Sequence, residues 1–263
     1  MATDYATSDY TELKIDHFGK IAAMHLCLSR EVLRRSPWAS QRYHYFDVTA
    51  GPGTHDAIGP QCPLVFAKEV AELNPPMNVQ ACFVEKDQES ASQLANVLRD
   101  HLWANIRHGD HCECLPGILA TSLPQKRDRY FGMIFYDPVP SKDMHKSIRL
   151  LADLFGRKEM QRIDCLMYLS GTTFKRLKDF TNDSLQSLIN AFPKQHWLIR
   201  DTFGSPHQWT FLLGSNYTSL KEYRGIRLHR LASEEGQQVF RRLTLTREEL
   251  EQQGHSQQGW MFR

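Results

Sequence analysis

The chain has 263 residues, 41% hydrophobic and 24% charged, with a formal net charge of +2. This suits one large domain, or a domain with an appendage. No apolar run is long enough for a membrane span, and residues 1–11 are polar and acidic, unlike a signal peptide. Six cysteines at 27, 62, 82, 112, 114 and 165 lie mostly in apolar patterns, as reduced core thiols do, so a cytoplasmic, disulfide-free protein is expected. Charge is spread unevenly. Residues 51–120 carry 4 basic and 9 acidic groups, and residues 121–180 carry 12 and 7. The second block reads as a positive face for an anionic partner or as a solvated helix face.

Apolar positions recur at helical spacing over residues 12–36, and Ser36-Pro37 stops the pattern. Lys14, His17 and Lys20 of this helix either reach a pocket mouth or are solvated. Aromatic and β-branched residues predict a first strand over 43–49, which breaks at Ala50-Gly51-Pro52-Gly53. A strand running into a glycine turn and then a helix forms the ligand-gripping corner of doubly wound α/β folds. Asp47, near the strand end, would point a carboxylate into the crevice. The third glycine of a dinucleotide fingerprint is replaced by Asp56, and no Gly-Lys-Ser/Thr follows. A carboxylate-bearing adenosine compound therefore fits better than a pyrophosphate or triphosphate. A tight turn with no ligand explains the same residues.

A helix is expected over 64–73, then a second strand over 79–84 with Glu85 at its tip. An acid there either holds ribose hydroxyls or starts the helix over 88–101. A short third strand over 104–110 ends in Gly109-Asp110, an acceptor for an adenine amino group or an ordinary helix N-cap. Cys112-x-Cys114 beside His111 lacks a zinc site's usual spacing and second pair, so no metal is expected.

The apolar run 130–136 meets Asp137-Pro138-Val139-Pro140. Two prolines stiffen this loop, and a rigid run of carbonyls beside an acid suits an N–H nucleophile. A helix over 145–154, a strand over 162–169, a helix over 177–191 and an antiparallel hairpin over 195–203 and 208–214 follow. The division expected is a Rossmann-like domain over 1–220 and a small helical appendage over 221–263.

Asp47 with Ala50-Gly51-Pro52-Gly53, Glu85, Asp110 and Asp137-Pro138-Val139-Pro140 line up in order. With the late hairpin, they make residues 40–215 resemble class I S-adenosylmethionine-dependent methyltransferases. The resemblance is to the bacterial three-Cys-motif partner family and to N6-adenine methyltransferases of bacteria or phage. It implies a doubly wound, seven-stranded, mostly parallel sheet with a C-terminal antiparallel hairpin. It also implies that Ala50, Gly51, Pro52 and Gly53 carry the methionine part of S-adenosylmethionine, with Asp47 near its amine. Glu85 would hold the ribose and Asp110 the adenine. Asp137, Pro138 and Pro140 would be catalytic, with Asp137 and the Pro138 carbonyl accepting from a target amine. The family's Asp/Asn-Pro-Pro-aromatic pattern is broken here by Val139 and Pro140, leaving Tyr136 or Phe174 as the substitute stacking aromatic. Three readings stay open: methyl transfer to a DNA or RNA base, transfer to a protein or small molecule, and a non-catalytic module serving a protein complex.

Overall fold

The computed structural model describes residues 10–35, 42–123, 130–137, 144–170, 189–202, 209–217 and 224–243, with 245 and 249. Helix α1 (Tyr10–Arg35) has Glu12 in its first turn and Arg34 and Arg35 in its last, each suited to the helix dipole. Phe18, Ile21, Ala22, Leu26 and Leu33 form its buried face. Strand β1 (Arg42–Asp47) is buried in five of its six residues. A small ribbon of β2 (Thr54–His55) and β3 (Gly59–Pro60) follows. Helix α2 (Cys62–Ala71) then begins, with Pro63 in its first turn, where the missing N–H costs nothing.

Strand and helix then alternate through β4 (Asn78–Glu85), α3 (Gln88–Val97), β5 (Ala104–His108), α4 (His111–Ser122), β6 (Phe131–Tyr136), α5 (Met144–Phe155) and β7 (Ile163–Ser170). The hairpin pairs β8 (His196–Arg200) with β9 (Trp209–Ser215). Strand β10 (Leu228–Arg230) and α6 (Glu234–Arg242), capped by Ser233, complete the described chain.

The main sheet runs β5-β4-β1-β6-β7-β9-β8-β10. Strands β5, β4, β1, β6 and β7 are parallel, and β9, β8 and β10 pair antiparallel. The chain leaves β1 toward β4 and β5, then returns to its other side for β6 and β7. Strand β1 is thus the switch point, and a crevice opens at its carboxyl end. The α/β doubly wound expectation holds, with eight strands in place of seven. Strand β10 was missed because three residues carry no readable alternation. It joins the edge of β8, and Asp201 N–H donating to Arg227 O at 2.9 Å extends the pairing.

Alternation along β1 divides the core. Tyr43 and Tyr45 pack with Phe18 of α1 and Phe66 of α2, while Phe46 packs with Leu115 of α4 and Leu151 of α5. The Tyr45 and Phe66 rings stack at 3.7 Å. Helix α1 is tied to the sheet by a buried relay. Tyr43 Oη lies 2.8 Å from His25 Nδ1, and His25 Nε2 lies 3.0 Å from Asp164 Oδ2 on β7. The helix expected over 177–191 falls largely, and Phe174 wholly, outside the described residues.

The contact between β1 and β6 leaves no room for a side chain at Gly132. A Cβ there would sit 1.7 Å from the His44 carbonyl oxygen. Gly132→Ala is expected to force these central strands apart and cost about 3 kcal/mol or more. Urea denaturation followed by tryptophan fluorescence checks this; an unchanged midpoint would contradict the strand packing described.

Candidate active site

Four strand-end segments meet in a cleft of about 760 Å³ at the carboxyl end of the parallel strands. Its walls include Thr49, Ala50, Gly51 and Pro52 after β1, Glu85 at the end of β4, Asp110 after β5 and Asp137 after β6. Lys14 of α1, Cys62 of α2, His111 of α4 and Lys146 of α5 also line it. Thr49 and Asp137, 88 positions apart in sequence, therefore reach one corner. Main-chain bonds hold that corner together: Val48 N–H donates to Phe135 O at 3.1 Å, and Ala50 N–H to Val84 O at 3.0 Å.

Gly51 has φ +70°, in the left-handed region that favours glycine. Its N–H donates to Glu85 Oε2 at 2.7 Å, and Asp87 N–H donates to Glu85 Oε1 at 2.8 Å. Glu85 is thus fixed against the turn. The cap of α3 is Asp87, whose Oδ1 accepts from Ser90 N–H at 2.8 Å. Gly53 faces elsewhere. A Cβ there would come within 2.8 Å of Leu94 Cδ1, so this glycine serves close packing of the turn on α3.

Asp110 caps α4, accepting from Cys112 N–H at 2.8 Å, and its Oδ2 accepts from Lys86 Nζ at 3.0 Å. The Lys86 bond leads the causes that hold its carboxyl below the usual range. Asp110 is therefore a cap that also borders the cleft. His111, the next residue, packs its ring 5.6 Å from that of Tyr136. Burial lowers its pKa, and its Nε2 is buried without a hydrogen-bond partner. Tyr136 is itself buried.

Asp47 is fully buried and lies beneath the cleft floor, a correction to its expected aim into the crevice. It shares the face of Tyr43 and Tyr45, so the pleat turns it under α1 and α2. Its Oδ1 accepts from Thr49 N–H at 3.2 Å, and Tyr45 Oη lies 3.5 Å from Oδ2. Burial pushes its pKa up to about 8, with the negative charges of Asp137 and Glu85 adding to the rise and Lys14 and the Thr49 bond opposing it.

Asp137 stands at the cleft's other side. Its N–H donates to Thr49 Oγ1 at 2.9 Å, and its Oδ2 accepts from Lys14 Nζ in an ion pair. Lys14 also lies 4.5 Å above the Tyr168 ring. Burial works against the Lys14 charge, but Asp137, Cys62 and Tyr168 together outweigh it and raise the lysine's pKa. Lys20, by contrast, is exposed and pairs with Asp16. Pro138 and Pro140 lie outside the described residues. Cys112 Sγ lies 3.3 Å from Ser147 Oγ, and all six cysteines are free thiols. Among the described residues, no group of three or more His, Cys, Asp or Glu is arranged to hold a metal ion, and no helix is long and apolar enough to cross a membrane.

Solved structures share this architecture. Protein LPL1258 from Legionella pneumophila str. Philadelphia 1 matches with a TM-score of 0.51 at 14% identity, over 77% of this chain and 87% of that one. The DszA carbon methyltransferase matches with 0.51 at 11% identity, over 76% and 54%. Monomeric WbdD matches with 0.50 at 12% identity, over 78% and 42%. This chain thus spans about half of DszA and less than half of WbdD. No protein-family model and no curated protein sequence matches it. At these identities the likeness is one of fold alone, an α/β Rossmann-like fold that the DszA carbon methyltransferase shares.

The raised Asp47 gives a sign for pH. Between about 4 and 8 the folded state holds a proton that the unfolded chain releases, so this group's contribution to stability is lost as pH rises through that window. Asp47→Asn removes the effect. Thermal melts of the ligand-free protein should show the variant gaining on the parent between pH 5 and pH 8.5. A constant difference across that range would place Asp47 in a solvated setting.

Proposed function

We propose that this chain is an S-adenosylmethionine-dependent methyltransferase whose acceptor is an amino nitrogen of a DNA or RNA base. The convergence of the Ala50–Pro52 turn, Glu85, Asp110 and Asp137 on one cleft at the switch point carries the reading. The residues present fit such a cofactor. The cleft has the volume of a small-molecule site, Gly51 lets a ligand approach the main chain, and strand-end acids stand where ribose and adenine donors would lie.

In this reading the Ala50–Pro52 turn holds the methionine end, and Asp47 beneath it favours a cationic amine through its field. Glu85 accepts from the ribose hydroxyls while its bonds to Gly51 and Asp87 keep it from turning away. Asp110 borders the adenine, and His111 brings a neutral imidazole to the same wall. The cofactor supplies an already activated methyl group, so the protein's task is alignment. Asp137 orients the acceptor by accepting its N–H, and drains positive charge from the nitrogen as its bond forms. Thr49 holds the Asp137 main chain in register for this. The +5 block over residues 121–180, which includes Asp137, supports an anionic substrate.

One observation favours the second reading, an amine of a protein or small molecule. Lys14 sets an alkylammonium on Asp137 and over Tyr168, so that corner accepts such a group.

Calorimetry with S-adenosylhomocysteine tests the cofactor. Gly51→Val should weaken binding by roughly 100-fold, about 2.7 kcal/mol. Asp137→Asn should keep affinity within about threefold while abolishing transfer of labelled methyl to bulk RNA or DNA. Unaltered affinity in the valine variant would remove the turn from the site. A gel shift that does not weaken with salt would turn the substrate away from nucleic acid.

A further inference from the structure

Lys14 is not absorbed by the family pattern, and its surroundings define a task for it. Asp47 is faced by five titratable groups: Tyr45 on its own strand, Lys14 from α1, Cys62 from α2, Glu85 from β4 and Asp137 after β6. Two of these stay neutral at physiological pH. Burial pushes the Cys62 thiol up to about 12 and the Tyr45 phenol well above its usual value. Glu85 is occupied by the N–H groups of Gly51 and Asp87. Glu85 keeps its charge and, fixed in place, adds a constant push upward at Asp47. The two charges that oppose each other there are Lys14 and Asp137, which are bonded to each other.

We propose that Lys14, through its ion pair with Asp137, sets the charge of Asp47 and thereby couples release of a proton to the binding of a cation in the cleft. While the pair is intact, its two opposite charges largely offset each other at Asp47. Desolvation then governs, and the buried carboxyl keeps its proton. An arriving ammonium breaks that balance. Asp47 changes from COOH to COO⁻, the proton leaves to solvent, and the new carboxylate acts on the bound cation from beneath the cleft floor. Lys14 is on this account a positioning residue, acting through Asp137 and Asp47. Only the ligand half rests on the cofactor reading above; the charge-setting half stands on the ligand-free protein.

Carbon-13 carboxyl NMR of ligand-free protein tests it, with the Asp47 signal assigned by its loss in Asp47→Asn. Lys14→Met leaves Asp137 unopposed and should move the Asp47 midpoint up by about one pH unit or more. Asp137→Asn leaves Lys14 unopposed and should move it down by a similar amount. Lys14→Arg should restore the parent value. Shifts of opposite sign are a signature that mere loss of packing does not produce. Two shifts of the same sign, or none, would overturn the proposal, and the Asp137→Asn arm decides it if Lys14→Met fails to fold.

For the coupling, S-adenosylhomocysteine is titrated at pH 7 in two buffers of different ionisation enthalpy. Proton release that disappears in Asp47→Asn is expected. Binding without release overturns the coupling. Absence of binding counts against the cofactor reading and the coupling together, while the NMR result still decides the charge-setting role.

Discussion

Like charges crowd the carboxyl end of this sheet, and the site is built around relieving that crowding. Asp47, Glu85 and Asp137 end three adjacent strands, β1, β4 and β6, and no two are relieved in the same way. Asp47 is buried and pushed toward its neutral form. Glu85 is held by two main-chain N–H groups. Asp137 is paired with a lysine from a helix 123 residues away. Asp110, one strand further out, adds a fourth solution, a helix N-terminus with Lys86. Pairs of acids in unequal environments take unequal protonation states, and unequal states let one site perform unlike tasks.

The pairing at Asp137 makes α1 part of the site as well as a cover for the sheet. The same helix carries Lys14 at the cleft and His25 at the relay with Tyr43 and Asp164. These two residues are 11 positions apart, roughly 16 Å of helix. Between them Phe18, Ile21 and Ala22 are fully buried. Burying the larger two contributes about 1.5–3 kcal/mol each, well above the median exposed ion pair. Apolar burial therefore holds the helix down, and the polar contacts at Lys14 and His25 fix how it is turned. A rotation of α1 would withdraw Lys14 from Asp137 and His25 from Asp164 together.

Much of this was legible in the sequence because it is local. The strand-turn-helix at 43–64, the acids at strand tips and the hairpin each announce themselves within a dozen residues. What failed to show depends on distance or on which way a side chain points. Lys14 has the spacing of a solvated lysine, and nothing near it announces Asp137. Gly53 fits a ligand-gripping glycine until Leu94 of α3 is seen against it. Asp110 offered two readings, and its bond to Cys112 N–H establishes the cap. Asp47 is the instructive miss, because its alternation with Tyr43 and Tyr45 already assigned it to a buried face. At this strand end the pleat decides where the acid points, and its place at the tip does not.

The two halves of the cleft also differ in how their chemistry is specified. Under the proposed function, the cofactor half is made mostly of main chain and strand-tip acids, which strand order alone brings together. That explains how structures at 11–14% identity keep the same architecture. Behind Lys14, a packed row of side chains joins α1, β7, β8 and β9. Lys14 lies over Tyr168, Tyr168 is 5.9 Å from Trp209, and Trp209 is 5.1 Å from His17. His17 Nδ1 accepts from Arg200 Nε at 3.0 Å, and burial beside that guanidinium lowers the imidazole's pKa to about 4. His17 is therefore neutral and serves to hold Arg200. Under the proposed function, this row backs Lys14 where it meets Asp137, and the cofactor half of the cleft is indifferent to it.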